Sequence, residues 1–308
     1  MAKKKVLFTG GSGLLAINWA FAIMNEYDVV LGLHDRKISV PGIPTVSVSM
    51  ETRDNFSRSL DLIQPDVVIH CAGLANVEVC ESDPVQALHI NGALSENVAH
   101  ECRKNGMQLV YICTDHLFAG NKPLVSEDEP VAPVNQYGAT KLDGEKRILA
   151  ISENFLSIRT NFYGWGPSYR RSFSDMIIDN LTKGNQVSLF EDFFYTPILI
   201  EELAQVTMQL FELKMGGIFN VVGNERISKY EFGMRLAERF DLNTHLIKAS
   251  SFTERKDLIK RPKDLSLSNH TVATLLNKEF GVIETGIEKL YQQRENGFLA
   301  TIKEIQSA

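Results

Sequence analysis

The chain has 308 residues, 44% of them hydrophobic and 23% charged, with a formal net charge of −6. That length and composition fit a folded globular protein with a sizeable core, in one large domain or two modest ones. The acidic balance gives no basic footprint for nucleic acid or an anionic membrane surface. No stretch approaches the ~18 apolar residues of a membrane span.

Cys71, Cys80, Cys102 and Cys113 show no C-x-x-C spacing and read as reduced thiols, so a cytoplasmic location is expected. Lys3-Lys4-Lys5 precedes an apolar run, but Thr9 to Gly13 is too polar for the core of a signal peptide.

Val6-Leu7-Phe8 reads as a buried strand and runs directly into Thr9-Gly10-Gly11-Ser12-Gly13. An amphipathic helix follows, with Leu14, Ile17, Ala20, Phe21 and Met24 at helical spacing. Strand, glycine turn and helix aim free N–H groups and the positive end of a helix dipole at a phosphate. Gly10 permits the tight turn, and Gly13 lets the backbone approach a pyrophosphate. A glycine turn alone is weak evidence; its place at the head of a βαβ pattern strengthens it.

Val29–Leu33 is a second strand, ending at His34-Asp35-Arg36, and a third lies near Thr45–Val48. A helix is expected over Arg53–Ile63, then a strand at Asp66–His70 followed at once by Cys71-Ala72-Gly73. A long helix over Pro84–Asn105, with Pro84 in its first turn, leads to a fifth strand at Gln108–Ile112. After a polar loop comes a helix over Gln136–Ile151 and a sixth strand at Phe155–Arg159. Strands alternating with helices at this rhythm predict an α/β fold with a doubly wound parallel sheet.

Beyond residue 160 the alternation fades. Helices are expected at Phe173–Gly184, Ile200–Glu212 and Lys229–Phe240, with a strand at Ile218–Val222. The reading is a cofactor-binding part, 1–160, and a smaller substrate-covering part, 161–308, with no flexible linker between them.

Tyr137 and Lys141 stand four apart on the helix after the fifth strand, so they share a face. A nearby ammonium is expected to lower the phenol's pKa and make it a usable general acid. A Y-x-x-x-K also arises by chance in a chain this long, so its position carries more weight than the motif. Thr114 sits at the carboxyl end of the fifth strand, where it either hydrogen-bonds a substrate carbonyl or caps the strand. Asp115-His116 could suggest a catalytic pair or a metal site, but adjacent side chains on extended backbone point apart. No metal cluster is expected.

The motifs TGGSGLLA, HCAGLANVEVCESDP, CTDHLFAG, PVNQYGATKLDGEK, IRTNFYG, GIFNVVGNERISKYEFGMRLAERF and KRPKDLSLS occur in that order. Together they resemble the dTDP-4-dehydrorhamnose reductase family of extended short-chain dehydrogenases, from about residue 5 to 275. The resemblance implies a Rossmann fold, a nicotinamide cofactor, and Thr114, Tyr137 and Lys141 as catalytic residues. Gly10, Ser12, Gly13, Leu14 and Leu15 would hold the pyrophosphate side, with Cys71, Ala72 and Gly73 beside the cofactor and Asn91 matching a family asparagine. Asp35 would suit the 2′-hydroxyl of NAD and Arg36 the 2′-phosphate of NADP, with Lys37 tilting the reading to NADP.

The chain also departs from the family. Tyr is replaced by His116, Asp by Ala119, and a lysine by Val79. The adenine-facing pair is Ser49-Met50, the segment Asp192–Ile198 differs, and Phe162 stands near the family's tryptophan. Catalytic atoms are kept while substrate-facing positions drift. The expected partner is a nucleotide-sugar substrate, with a homodimer left open.

The regulatory subunit of methionine adenosyltransferase shares the family and resembles this chain in TGxxGLL, YGxTKLDGEK and GNExxxKYE. A cofactor-binding regulatory subunit is therefore the alternative. An epimerase or dehydratase fits less well, because Asp115-His116 lacks the glutamate that dehydratases carry there.

Overall fold

A computed structural model describes residues 2–255 and 257–306. Its centre is a seven-stranded sheet of β1 (Lys5–Thr9), β2 (Asp28–Leu33), β3 (Thr45–Ser47), β4 (Val67–His70), β5 (Gln108–Ile112), β6 (Leu156–Arg159) and the strand Gly217–Asn220. The spatial order is β3-β2-β1-β4-β5-β6, closed by Gly217–Asn220 at the edge, and every pairing is parallel. Helices cover both faces, which is why the strands read as unbroken apolar runs. In β1, Val6 and Phe8 enter one core and Leu7 the other. Between β1 and β4 the winding reverses, and that switch point opens a crevice beyond the carboxyl ends of the strands.

The first helix, α1 (Leu14–Ile23), differs from the amphipathic helix expected through Met24. It ends at Ile23 and is buried nearly all round, because it lies between the sheet and α8 (Ile200–Glu212). Asn18 fixes it further by donating to the Trp165 carbonyl at 2.7 Å. After α2 (Arg53–Ile63), capped by the Thr52 hydroxyl, come α3 (Val77–Ser82) and α4 (Pro84–Leu88).

The single helix expected over Pro84–Asn105 is broken. A π turn at His89–Ala93 separates α4 from α5 (Leu94–Lys104). Inserted turns of this kind gather at functional sites. Here it carries Asn91, which is fully buried.

The helix that carries Tyr137 and Lys141, α6 (Gln136–Ile151), starts where expected, because Asn135 caps it by accepting from the Gly138 N–H at 2.9 Å. It packs closely on the π turn and β5: a Cβ at Gly144 would lie 2.2 Å from the Asn91 carbonyl oxygen. That approach requires glycine.

The second half supplies α7 (Phe173–Thr182), α8, α9 (Lys229–Arg239), α10 (His270–Leu276), α11 (Ile283–Glu295) and α12 (Phe298–Glu304). Capping boxes Ser172/Asp175 and Ser228/Glu231 start α7 and α9. Three short ladders tie these helices together: Phe162–Tyr163 with Ile198–Leu199, Phe194–Tyr195 with Ile227–Ser228, and Val187–Phe190 with Ile247–Ser250. The strand expected at Ile218–Val222 belongs to the central sheet, so both halves of the chain build it. Among the described residues, no helix is long and apolar enough to cross a membrane.

Candidate active site

A cleft of about 700 Å³ runs along the carboxyl ends of β1, β4 and β5. Gly10, Ser12, Gly13, Leu14 and Leu15 line one end, Cys71, Ala72 and Gly73 its floor, and Thr114, Tyr137 and Lys141 the other end. The structure thus brings together elements far apart in sequence. Asp35 and Met50 also line it, whereas Arg36 and Ser49 are not among its lining residues.

The glycine turn has the form a phosphate requires. Gly10 adopts φ +66°, and a Cβ there would meet the Ala72 nitrogen at 2.7 Å. Gly13 is the N-cap of α1 and contributes no side-chain cap, so the first-turn N–H groups stay available to an anion. The missing Cβ at Gly13 also spares the Gly10 carbonyl, 3.1 Å from where it would stand.

Arg36 lies at the rim. Its guanidinium stacks on the Tyr169 ring at 4.4 Å, and the Tyr169 hydroxyl donates to the Ser12 carbonyl at 2.9 Å. Asp35 is exposed and lies 3.1 Å from His34. Lys37 reaches back to the His34 carbonyl and the Ser47 hydroxyl, both at 2.6 Å. Met50 is held through its backbone by Asn97 at 3.0 Å.

Tyr137 and Lys141 project from one face of α6, which Asn91 anchors. The Asn91 amide nitrogen donates to Thr140 at 3.0 Å and to the Leu74 carbonyl at 3.1 Å, and its oxygen accepts from the Leu74 N–H at 2.8 Å. His70, beneath this layer, bridges Thr9 at 2.6 Å and Ser95 at 3.0 Å. Burial, aided by the Lys141 charge, pushes that histidine down to about 3, so it is a neutral structural spacer.

The expectation that Lys141 lowers the phenol's pKa is corrected by the site itself. Burial pushes Tyr137 above its ordinary value, and the neighbouring Thr114 hydroxyl opposes this only in part. Burial also lowers Lys141, whose ammonium sits over the Tyr111 ring at 4.1 Å. A phenol held protonated remains a proton donor, the form a reduction needs. Asp115 and His116 do not pair with each other catalytically. Asp115 accepts from Asn161 at 2.5 Å and from Thr114 at 3.1 Å, while the His116 ring meets Tyr137 edge-on at 5.3 Å. Among the described residues, no group of three His, Cys, Asp or Glu could hold a metal, and all four cysteines are unpaired.

Arg170, Ser172 and Phe173 close the cleft from the second half, with Gln86 from α4 and His89 from the π turn. The sequence reading did not single these out.

A family model described as the RmlD substrate binding domain matches residues 4–296. Methionine adenosyltransferase 2 subunit beta from Mus musculus is 29% identical over 297 residues, covering 93% of this chain and 86% of that protein. A probable low-salt glycan biosynthesis reductase, Agl14 of Haloferax volcanii, is 27% identical over 260 residues, covering 83% and 86%. The dTDP-4-dehydrorhamnose reductase of Bacillus anthracis, solved in complex with NADP, superposes with a TM-score of 0.83 at 23% identity, covering 95% of this chain and 100% of that one. The chain belongs to the RmlD substrate binding domain family.

Proposed function

We propose that the protein is an NAD(P)H-dependent reductase of a nucleotide-linked 4-keto-6-deoxy sugar. The observation that carries the reading is one cleft with an uncapped glycine turn at one end and Thr114, Tyr137 and Lys141 at the other. Residues 1–160 would carry the cofactor and 161–308 cover the substrate. The unpaired thiols suit a cytoplasmic location.

The glycine turn and the first-turn N–H groups of α1 would hold the pyrophosphate, and Lys141 the nicotinamide ribose. Bound in this way, the reduced nicotinamide supplies the hydride. Thr114, turning its hydroxyl from Asp115, donates a hydrogen bond to the sugar's carbonyl oxygen and fixes its position. Tyr137 donates its phenolic proton to that oxygen as the carbonyl carbon is reduced. The phenolate left behind is favoured by the Lys141 ammonium on the same helix face. Arg36, steadied on Tyr169, favours NADP over NAD, because a guanidinium matches a 2′-phosphate while Asp35 is free to turn to solvent.

The match to methionine adenosyltransferase 2 subunit beta over 93% of the chain favours a second reading, a cofactor-binding regulatory subunit. Oxidation of NADPH and NADH against a panel of nucleotide-linked 4-keto sugars, run beside affinity co-purification, separates the two. Turnover by the isolated chain supports the reductase. A stable complex with a larger enzyme, and no turnover alone, would replace it with the regulatory reading.

A further inference from the structure

The segment 164–172 reaches the glycine turn from the second half of the chain. It carries Tyr169, whose hydroxyl donates to the Ser12 carbonyl at 2.9 Å and whose ring supports Arg36. It also packs on the start of α1, since a Cβ at Gly166 would meet the Leu14 side chain at 3.0 Å. Whatever fixes this segment therefore fixes one side of the turn.

What fixes it is a single carboxylate. Asp175, in the first turn of α7, is fully buried. Its Oδ2 accepts from the Gly166 N–H at 2.7 Å and from the Ser172 N–H at 2.8 Å, so it gathers both ends of the loop. Between them the chain doubles back, with the Arg170 N–H donating to the Pro167 carbonyl at 2.9 Å.

The other oxygen, Oδ1, accepts from the Lys303 ammonium at 2.8 Å. Lys303 lies on α12, 128 residues further along the chain. Beside it the Ser168 hydroxyl donates to the Ile305 carbonyl at 3.3 Å, so the last helix and the residue after it hold the loop at two points. A buried carboxylate is costly without a counter-charge, and among the described residues Lys303 alone forms an ion pair with Asp175. The lysine side chain is 32% exposed, so replacing it opens no core.

We infer that Asp175 and Lys303 are positioning residues for the cofactor: the last helix sets how firmly the loop 164–172 holds the glycine turn and Arg36. This rests on the proposal that the glycine turn takes the cofactor's pyrophosphate, and adds to it a determinant at the far end of the chain. Neither residue lines the cleft, so both act through Tyr169 and the packing on Leu14.

The test is fluorescence titration of the full chain with NADPH and with NADH, beside thermal melting. Lys303→Met removes the ammonium and keeps the apolar stem, and Lys303→Arg restores a cation. Arg239→Met is the control, because it breaks an ion pair between α9 and α11 that does not involve the loop. Lys303→Met is expected to weaken NADPH about threefold to tenfold, the size of a remote coupling. NADH should weaken less, since only NADPH also draws on Arg36. Lys303→Arg should recover most of the affinity, and Arg239→Met should lower Tm while leaving both cofactors bound as before. Amide hydrogen exchange over 164–172 should quicken in Lys303→Met and not in Arg239→Met.

NADPH affinity unchanged in Lys303→Met would overturn the inference. So would an equal loss in Arg239→Met, which would make the effect a general loosening of the second half. An unaltered chain that binds neither cofactor would overturn the cofactor reading and this inference with it, whereas binding that ignores Lys303 removes the positioning role alone.

Discussion

Asn91 and Thr140 are hydrogen-bonded at 3.0 Å, so the π turn holds α6, the helix that carries Tyr137 and Lys141. The same asparagine satisfies both the N–H and the carbonyl of Leu74, next to the cofactor-side loop 71–73. Asn91→Ala would leave these half-buried groups without their partner, at a cost of about 1–3 kcal/mol. The expected outcome is a lower Tm together with weaker NADP binding, read by thermal melting and by titration. Asn91→Asp keeps the acceptor for Leu74 but lacks the donor to Thr140. It should retain more of the cofactor affinity than Asn91→Ala.

Gly144 tests the same seam from the other side. A Cβ there would stand 2.2 Å from the Asn91 carbonyl and 2.6 Å from the Tyr111 hydroxyl. Gly144→Ala must push α6 away from the π turn, against the usual helix-stabilising effect of alanine, worth about 1 kcal/mol. A fall in Tm is expected, with Tyr137 and Lys141 displaced. A rise in Tm would show that the contact yields easily.

On the proposed reading, Arg36 sets the choice of cofactor. Arg36→Ala should weaken NADPH about tenfold and leave NADH nearly unchanged, since only the 2′-phosphate contact is lost. Tyr169→Ala should move the preference the same way by a smaller amount, because it removes the ring on which Arg36 rests. Dissociation constants for both cofactors, measured by quenching or energy transfer, check this. Equal losses for NADPH and NADH would place Arg36 outside cofactor selection.

Lys229 gives the fold a pH dependence. Burial lowers its pKa to about 7, with Asp115 opposing that shift and Arg261 reinforcing it. His116 and Tyr195 face it as well, and burial holds His116 below its ordinary value, so His116 is neutral when Lys229 titrates. Lys229 is charged below pH 7 and loses its proton as pH rises. A lysine lowered in the folded state is protonated more readily in the unfolded chain. Stability should therefore rise with pH between about 7 and the ordinary lysine value near 10.4. Thermal melts of the unaltered chain and Lys229→Met across that range check the sign.

Much of the first half was legible because its determinants are local. Val6-Leu7-Phe8 and Val67–His70 are apolar runs buried on both faces, and the glycine turn joins strand to helix within five residues of chain. Asn135 marks the start of α6 in the same local way. The π turn carried no such signal, since its reason is the distant pairing of Asn91 with Thr140 and Leu74. The two-residue strands Phe162–Tyr163 and Ile198–Leu199 are too short for any period to show and exist only through each other. Likewise Tyr195, Lys229 and Arg261 meet His116 only in the folded chain. The lowered phenol failed for a different reason. Helical spacing placed Lys141 correctly, but spacing says nothing of burial, which decides the direction at Tyr137.

The most direct measurement of the central claim is deuteride transfer from NADPH labelled at the nicotinamide C4 to a nucleotide-linked 4-keto-6-deoxy sugar. Mass spectrometry of the product reads the label in the unaltered chain and in Tyr137→Phe. The account predicts one deuterium in the reduced sugar. In Tyr137→Phe, transfer should slow by about 100-fold or more while NADPH affinity stays the same, because only the proton donor is removed. Tight NADPH binding with no label transferred to any sugar by the unaltered chain, or transfer at full rate by Tyr137→Phe, would contradict it.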